Sequence, residues 1–261
     1  MAGRDNVIFY ATVASGTSAG TVVPLTFLYG VENVRQGYGA PILKNARAYY
    51  TGMFSGTGTG VPVSLKNSNW IDESGLVAQA FGADTVLNRD SLAFMRGRDK
   101  ALDANTAWTI AATLPINTTS AGAIYVILEI EYSDVPGRAT DLLKGSPVMK
   151  KCSATGISGS ANTVVPIGSF DNLLQNVTYV LGEVSAQGIS AGTNATFLVL
   201  EGFSNQRGLV RIIPIKASGL ADPIEGSVDI TKQTYNLAVI SSGALSSASP
   251  TIMMEMIASK N

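Results

Sequence analysis

The sequence contains one ordered set of short segments twice, and this repetition constrains the fold more than any other feature. Thr21-Val-Val-Pro-Leu25 returns as Thr163-Val-Val-Pro-Ile167, and both copies follow a stretch rich in Gly, Ser and Thr. Three further matches follow in the same order: Asn45–Tyr50 with Asn176–Leu181, Trp108–Thr113 with Tyr235–Ile240, and Leu128–Ile130 with Met254–Met256. The spacing between matched segments falls steadily from 142 to 126 residues. This trend indicates a duplicated unit whose first copy has the longer loops.

Short runs of β-forming residues alternate with turns rich in Gly, Ser, Thr and Asn along the whole chain. Many short strands at such spacing are typical of a β-sandwich or barrel. Only 84–105 has the spacing of a helix. The sequence therefore predicts an all-β protein whose clearest strands are Val7–Val13, Thr21–Tyr29, Ala46–Phe54, Trp108–Leu114, Ile124–Tyr132, Val177–Val184, Ala195–Phe203, Leu209–Ile215, Tyr235–Ile240 and Thr251–Ile257.

Residue patterns inside three of these runs predict how the strands are placed. Ile124–Tyr132 alternates apolar and more polar residues, which is the pattern of a half-buried strand. Ala195–Phe203 is apolar on both faces, as expected of a strand covered from both sides. Pro214 places Leu209–Ile215 at a sheet edge or at a bulge, because proline cannot donate to a ladder. Strand alternation predicts these core residues: Leu128, Ile130, Met254 and Met256.

The two copies join within 133–146, where Asp134, Pro136, Gly137 and Gly145 interrupt the strand pattern. The chain is therefore predicted to form an N-terminal sandwich over 1–135 and a C-terminal sandwich over 146–261, with a linker over 136–145. Each half is close to the usual size of a domain.

Charge is scarce in this chain, because charged residues make up 14% and apolar residues 46%. An ordinary soluble domain has about 25% charged residues, and a soluble monomer needs charge across its surface. The shortfall favours a surface that partner subunits largely cover. The net charge is −1, from 18 basic and 19 acidic residues without a basic cluster. Since nucleic acid is bound mainly by clustered cations, we expect no direct sequence-specific binding of nucleic acid.

The residues needed for most enzyme mechanisms are missing, since the chain has no histidine and a single cysteine, Cys152. Ser-His-Asp and Cys-His catalysis, imidazole bases and zinc sites are thereby excluded. Cys152 is interpreted as a packing residue, and no intrachain disulfide is possible. Glu129 with Glu131, or Asp72 with Glu73, has the residue type of a glycosidase pair. We interpret these carboxylates as facing solvent or a neighbouring subunit.

Three weaker patterns remain. Gly56–Gly60 lacks the later Gly, the Lys and the strand-to-helix context of a phosphate loop, so it is interpreted as a turn. Four loop carboxylates have no EF-hand spacing, although each offers oxygen ligands for calcium: Asp84, Asp99, Asp103 and Asp134. Three Asn-x-Thr patterns begin at Asn117, Asn176 and Asn194. We predict no catalytic, cofactor-binding or metal-binding residues, no cofactor, and a protein that is not an enzyme.

The sequence contains no targeting signal that we recognise. Its first residues, MAGRDNVIFY, form neither a basic arm nor a signal peptide. No run approaches the roughly 18 apolar residues of a membrane helix. We expect a protein that is made in the cytoplasm and is not itself a membrane protein.

Three segments resemble those of a known protein family. Val13–Leu25 is similar to the first-strand and turn pattern of the double jelly-roll major capsid proteins of tailless icosahedral viruses. Ile42–Arg47 resembles the strand that follows in that family, and Ala123–Tyr132 resembles the strand that closes its first barrel. The chain looks most like the compact coat proteins of lipid-containing bacteriophages such as the corticoviruses. The resemblance extends over both halves in architecture but over few motifs.

This resemblance implies two tandem jelly-roll β-sandwiches and a mechanical role in a virion. Three chains of two sandwiches would form a homotrimer, a nearly hexagonal capsomer that contacts neighbouring capsomers. Minor capsid or vertex proteins are implied partners. An underlying viral membrane is another, since a membrane often lies beneath such shells. We expect charge reversal at contact arginines to impair shell formation, with Arg47, Arg96 and Arg207 as candidates.

Two alternatives belong to other classes of protein. The chain has the composition of other β-rich assembly proteins, such as a single jelly-roll coat pair, a surface-layer protein or a fibre component. A carbohydrate-binding or carbohydrate-active β-sandwich is the second alternative. Aromatic residues make up only 7% of the chain, which disfavours the second, since carbohydrate sites are usually lined with aromatic rings.

Overall fold

The computed structural model describes residues 3–30, 41–55, 59–66, 75–82, 100–101, 109–132, 147–170, 177–189, 194–203, 208–215, 227–230 and 235–259. Regular structure in these residues is entirely β-strand, and the sheets are almost wholly antiparallel. The all-β class predicted from the sequence is therefore confirmed. Within the stretch expected to be helical, Lys100–Ala101 forms a short strand instead, and the other residues of 84–105 lie outside the described ones.

The chain divides into two compact units, Ala2–Val135 and Pro136–Asn261. The linker predicted over 136–145 lies outside the described residues. The strands of the first unit are β1 (Gly3–Val13), β2 (Val22–Gly30), β3 (Pro41–Thr51), β4 (Val61–Lys66), β5 (Gly75–Gly82), β6 (Lys100–Ala101), β7 (Thr109–Thr113) and β8 (Gly122–Tyr132). Those of the second are β9 (Pro147–Ser153), β10 (Ile157–Gly159), β11 (Val164–Phe170), β12 (Val177–Gln187), β13 (Thr196–Phe203), β14 (Gly208–Ile215), β15 (Ser227–Ile230), β16 (Tyr235–Ser241), β17 (Leu245–Ala248) and β18 (Thr251–Ser259).

The first unit is one eight-stranded sheet in the order β5-β4-β7-β2-β1-β8-β3-β6. It folds over itself so that β1-β8-β3-β6 and β2-β7-β4-β5 enclose one core. β1 pairs with β2 over Val7–Tyr10 and with β8 along its whole length. A short parallel pairing of Tyr49 and Tyr50 with β5 joins the two halves again.

The second unit keeps its two halves as separate sheets. Their strand orders are β15-β12-β18-β9 and β11-β16-β13-β14, and a small ladder joins β10 to β17. Apart from that ladder, these orders match those of the first unit. The strands β1, β2, β3, β7 and β8 correspond to β9, β11, β12, β16 and β18, respectively. In their described residues, all four pairs of segments matched in the sequence thus overlap strands with equivalent places in their sheets.

Each unit has its own apolar core. In the first, the core-facing side of β8 contributes Ile124, Val126, Leu128 and Ile130, all with no exposed surface. In the second, Met254 on β18 is fully buried, and the side chain of Met256 lies outside the described ones. The expected burial of Leu128, Ile130 and Met254 is confirmed.

The opposite faces of two strands are also buried. Phe197 and Val199 on β13 are 0% and 1% exposed, as predicted for a strand covered from both sides. β8 departs from prediction, because Tyr125 and Ile127 on its second face are 0% and 3% exposed. The expectation that this strand is half-buried was wrong over that stretch. Tyrosine has a large apolar ring and is readily buried when the face that carries it is covered.

Pro214 lies in β14, the outermost strand of its sheet, so the predicted edge position is confirmed. Its partner in the ladder is Phe197, and the register across this pair is regular. Arg211 of the same strand is opposite Leu200, a core residue, and is only 5% exposed. A charged side chain thus lies at the core-facing side of an edge strand.

Candidate assembly surfaces

The described residues do not assemble a metal site. Among them, no group of three or more His, Cys, Asp or Glu side chains lies close enough to hold an ion. Cys152 is 7% exposed and belongs to the core of the second unit, beside Gly168. Its surroundings are those of a packing residue.

The carboxylates singled out in the sequence are not brought into a catalytic pair by the described residues. Glu129 is half-buried on the outer face of β8, where its ladder partners are Asn6 and Asn45. The side chain of Glu131 lies outside the described ones, as do Asp72, Glu73 and the four loop aspartates. Of the possible phosphate loop, residues 59–60 alone are described.

A row of three tyrosines crosses the outer face of the first unit, with one each on β1, β8 and β3. Tyr10 and Tyr49 are the ladder partners of Tyr125 on either side. The rings of Tyr10 and Tyr125 are stacked, with centroids 6.4 Å apart. Tyr49 and Tyr125 are 3% and 0% exposed, and Tyr10 is half-buried, so two of the three rings are closed to a ligand.

Three loops at one end of the first unit are joined to one another by hydrogen bonds. This first loop end comprises residues 14–21, 52–55 and 114–121. The backbone N–H of Gly20 donates to the carbonyl oxygen of Leu114 at 2.7 Å, and that of Leu114 donates to Thr21 at 3.0 Å. The N–H of Thr119 donates to the carbonyl oxygen of Met53 at 2.9 Å, which connects the third loop.

Two side chains fix the first loop end. Thr118 is 3% exposed; its hydroxyl donates to the carbonyl oxygen of Ala14 and accepts from the N–H of Thr17, both at 2.8 Å. The amide oxygen of Asn117 accepts from the N–H of Ala19 at 2.8 Å. In the sequence, Asn117 stands out only as the start of an Asn-x-Thr pattern. The structure instead gives it a role in joining two loops.

The second unit has an equivalent second loop end, formed by residues 154–163, 188–189, 194–195 and 242–250. The ladder between β10 and β17 extends two of these loops. The backbone N–H and the carbonyl of Ala195 are both bound by Ser242, each at 2.9 Å. Neither loop end contains Lys, Arg, Asp or Glu. Both therefore present an ordered, uncharged surface of small residues.

A third uncharged surface is the outer face of β2, β7 and β4 in the first unit, here called the front face. Val22 is 61% exposed, and Pro24, Thr26 and Thr109 are also exposed. The half-buried side chains are Pro62, Ser64, Ala111 and Thr113. Each described side chain of the front face is uncharged, and Ile116 of the adjoining loop end is 47% exposed.

No family model matches this sequence, and no curated protein is similar enough to match it. Within the described part of the chain, no helix has the length and apolar character to cross a membrane.

Proposed function

We propose that this chain is a major capsid protein built as a double jelly roll. The observation that carries the proposal is the strand order, which occurs once in each unit. A jelly roll is a two-sheet sandwich of eight strands made from two Greek keys. The orders β1-β8-β3-β6 and β2-β7-β4-β5 fit this arrangement, and β9-β18-β12-β15 and β11-β16-β13-β14 repeat it.

The surfaces of the chain support a role in assembly. Two loop ends and the front face are uncharged over their described side chains, and Val22 and Ile116 expose apolar surface. Depletion of charged residues is typical of the core of a protein–protein interface. The hydrogen bonds within the two loop ends restrict the conformations of those loops, which lowers the entropy lost when a neighbour binds.

A duplicated unit also suits a shell. Three chains would place six similar sandwiches around a threefold axis, and such a tile covers an icosahedral lattice with few kinds of contact. The location that follows is the virion, after synthesis in the host cytoplasm. The partners that follow are other copies of the chain, minor capsid or vertex proteins, and a membrane beneath the shell.

Of the three arginines expected to contact neighbours, Arg47 lies half-buried on β3. Arg96 and Arg207 lie outside the described residues. Val22 is a cleaner probe of assembly, because its exposed side chain can be changed with little effect on the core.

The test measures mass and shape together. Size-exclusion chromatography with light scattering should give the mass of three chains, and electron microscopy under assembly conditions should show closed particles. Val22→Arg should reduce particle formation with an unchanged circular dichroism spectrum, and Gln187→Arg, at an exposed position of the second unit, is the control for added charge. A monodisperse monomer at micromolar concentration would contradict the proposal.

A further inference from the structure

The repeated motif of Thr, Val, Val, Pro and Leu or Ile places one proline in each unit. These equivalent prolines are Pro24 and Pro166. Pro24 pairs with Ala111 of β7, and Pro166 pairs with Ala238 of β16. Both prolines are exposed. The motif thus puts the one residue that lacks an N–H at the same place in two sheets.

A proline keeps its place in a ladder when its nitrogen faces away from the partner strand, because that nitrogen has no hydrogen to donate. β11 is the outermost strand of its sheet, with β16 on its inner side. The nitrogen of Pro166 therefore faces the outer edge of the sheet. In the first unit, β2 pairs with β1 only from Thr26 onwards. Pro24 lies two residues before that point, so it is outside the pairing with β1.

β9 and β10 approach β11, with Cys152 beside Gly168 and Gly159 beside Val165. Neither strand forms a ladder with β11 in the described part of the unit, so this edge would otherwise be suited to adding a strand. Val164, Val165 and Ile167 favour extended structure, and an exposed edge strand presents unpaired N–H and C=O groups to another chain. The ladder has a bulge between Pro166 and Gly168, which also twists an edge away from pairing. The structure thus combines two features that oppose strand addition at one place.

We propose that Pro166 guards the edge of β11 and prevents a second copy of this chain from pairing with it. Copies then contact one another through side chains and loops rather than through shared strands. The proposal does not depend on the capsid assignment, because an open edge is a hazard for any concentrated β-protein.

The test restores the N–H with two side chains of different polarity. Pro166→Thr and Pro166→Val should convert the discrete species into polymers that grow with concentration, bind thioflavin T and protect the amides of β11 from hydrogen exchange. Pro166→Lys also restores the N–H but adds an edge charge that opposes pairing, so it should remain discrete.

Ala238→Val is the matched control for apolar surface, since this position pairs with Pro166 on the inner strand β16. It should behave like the wild type. The proposal is wrong if Pro166→Thr and Pro166→Val remain discrete, or if Ala238→Val polymerises equally. It is also wrong if all three Pro166 variants lose the circular dichroism signal of the fold, because the proline is then required for folding itself.

Discussion

Leu128→Ala is the most direct test of the first core. Leu128 has no exposed surface and lies on β8, with Val7 of β1 and Ala46 of β3 as its ladder partners. Both neighbours belong to the same core and are 0% and 1% exposed. Losing three carbon atoms from this site costs about 2.4 kcal/mol of transfer free energy, at about 0.8 kcal/mol per methylene.

A cavity adds to that cost. β8 is hydrogen-bonded on both sides, and a small alanine already stands opposite, so the site has little freedom to collapse. We therefore expect a total loss of about 3–5 kcal/mol in the free energy of unfolding, within the range for buried Leu→Ala changes. With a urea slope of about 2–3 kcal/mol/M, the midpoint of the transition should fall by roughly 1–2.5 M.

The assay is a urea titration followed by circular dichroism, with Val22→Ala as the control. Val22 is 61% exposed, so that control should change stability by less than about 0.5 kcal/mol. A loss below about 0.5 kcal/mol for Leu128→Ala would show that Leu128 is not packed in this core and that the reasoning is wrong.

Three further predictions concern the start of β8, a loop and the outer face of β3. Gly122→Ala sets a methyl group against the carbonyl oxygen of Thr51, and stability should fall by roughly 1–3 kcal/mol in a thermal melt; an unchanged melt contradicts this. Thr118→Val should cost about 1–3 kcal/mol and accelerate hydrogen exchange in loop 14–21, whereas unchanged exchange would mean that the hydroxyl does not hold the loop. Arg47→Glu should reduce particle formation without altering circular dichroism, and normal particles would remove Arg47 from the contacts.

The strands were predictable where local pattern and tertiary burial agree. Ala195–Phe203 is apolar on both faces, which predicted burial from both sides. Pro214 restricted its strand to a sheet edge or a bulge, and the structure shows the edge. β10 and β17 were not predicted, because Ile157–Gly159 and Leu245–Ala248 are rich in small turn residues. Their pairing is a contact between distant segments.

The burial of two residues also lay beyond the sequence pattern. The alternation of residues predicted that Tyr125 lies on the more polar face of its strand. In the structure Tyr125 has no exposed surface, because that face of the strand is covered at this point. Arg211 falls at a core-facing position of β14, where alternation alone gives no sign of how a guanidinium is accommodated. In the loop ends, Thr118 bonds to residues about a hundred positions away, and local sequence carries no signal for such a contact.

The pairing of first and last strands governs when each unit can fold during synthesis. β1 pairs along its whole length with β8, and β9 pairs with β18 in the same way. In both units the two partners lie roughly a hundred residues apart. At about 5–20 residues per second, β1 waits roughly 5–20 s for its partner to emerge. Such distant pairings also fold slowly. A ribosome that stalls before β8 or β18 leaves a sheet without one of its inner strands. Quality-control proteases would then meet an incomplete unit.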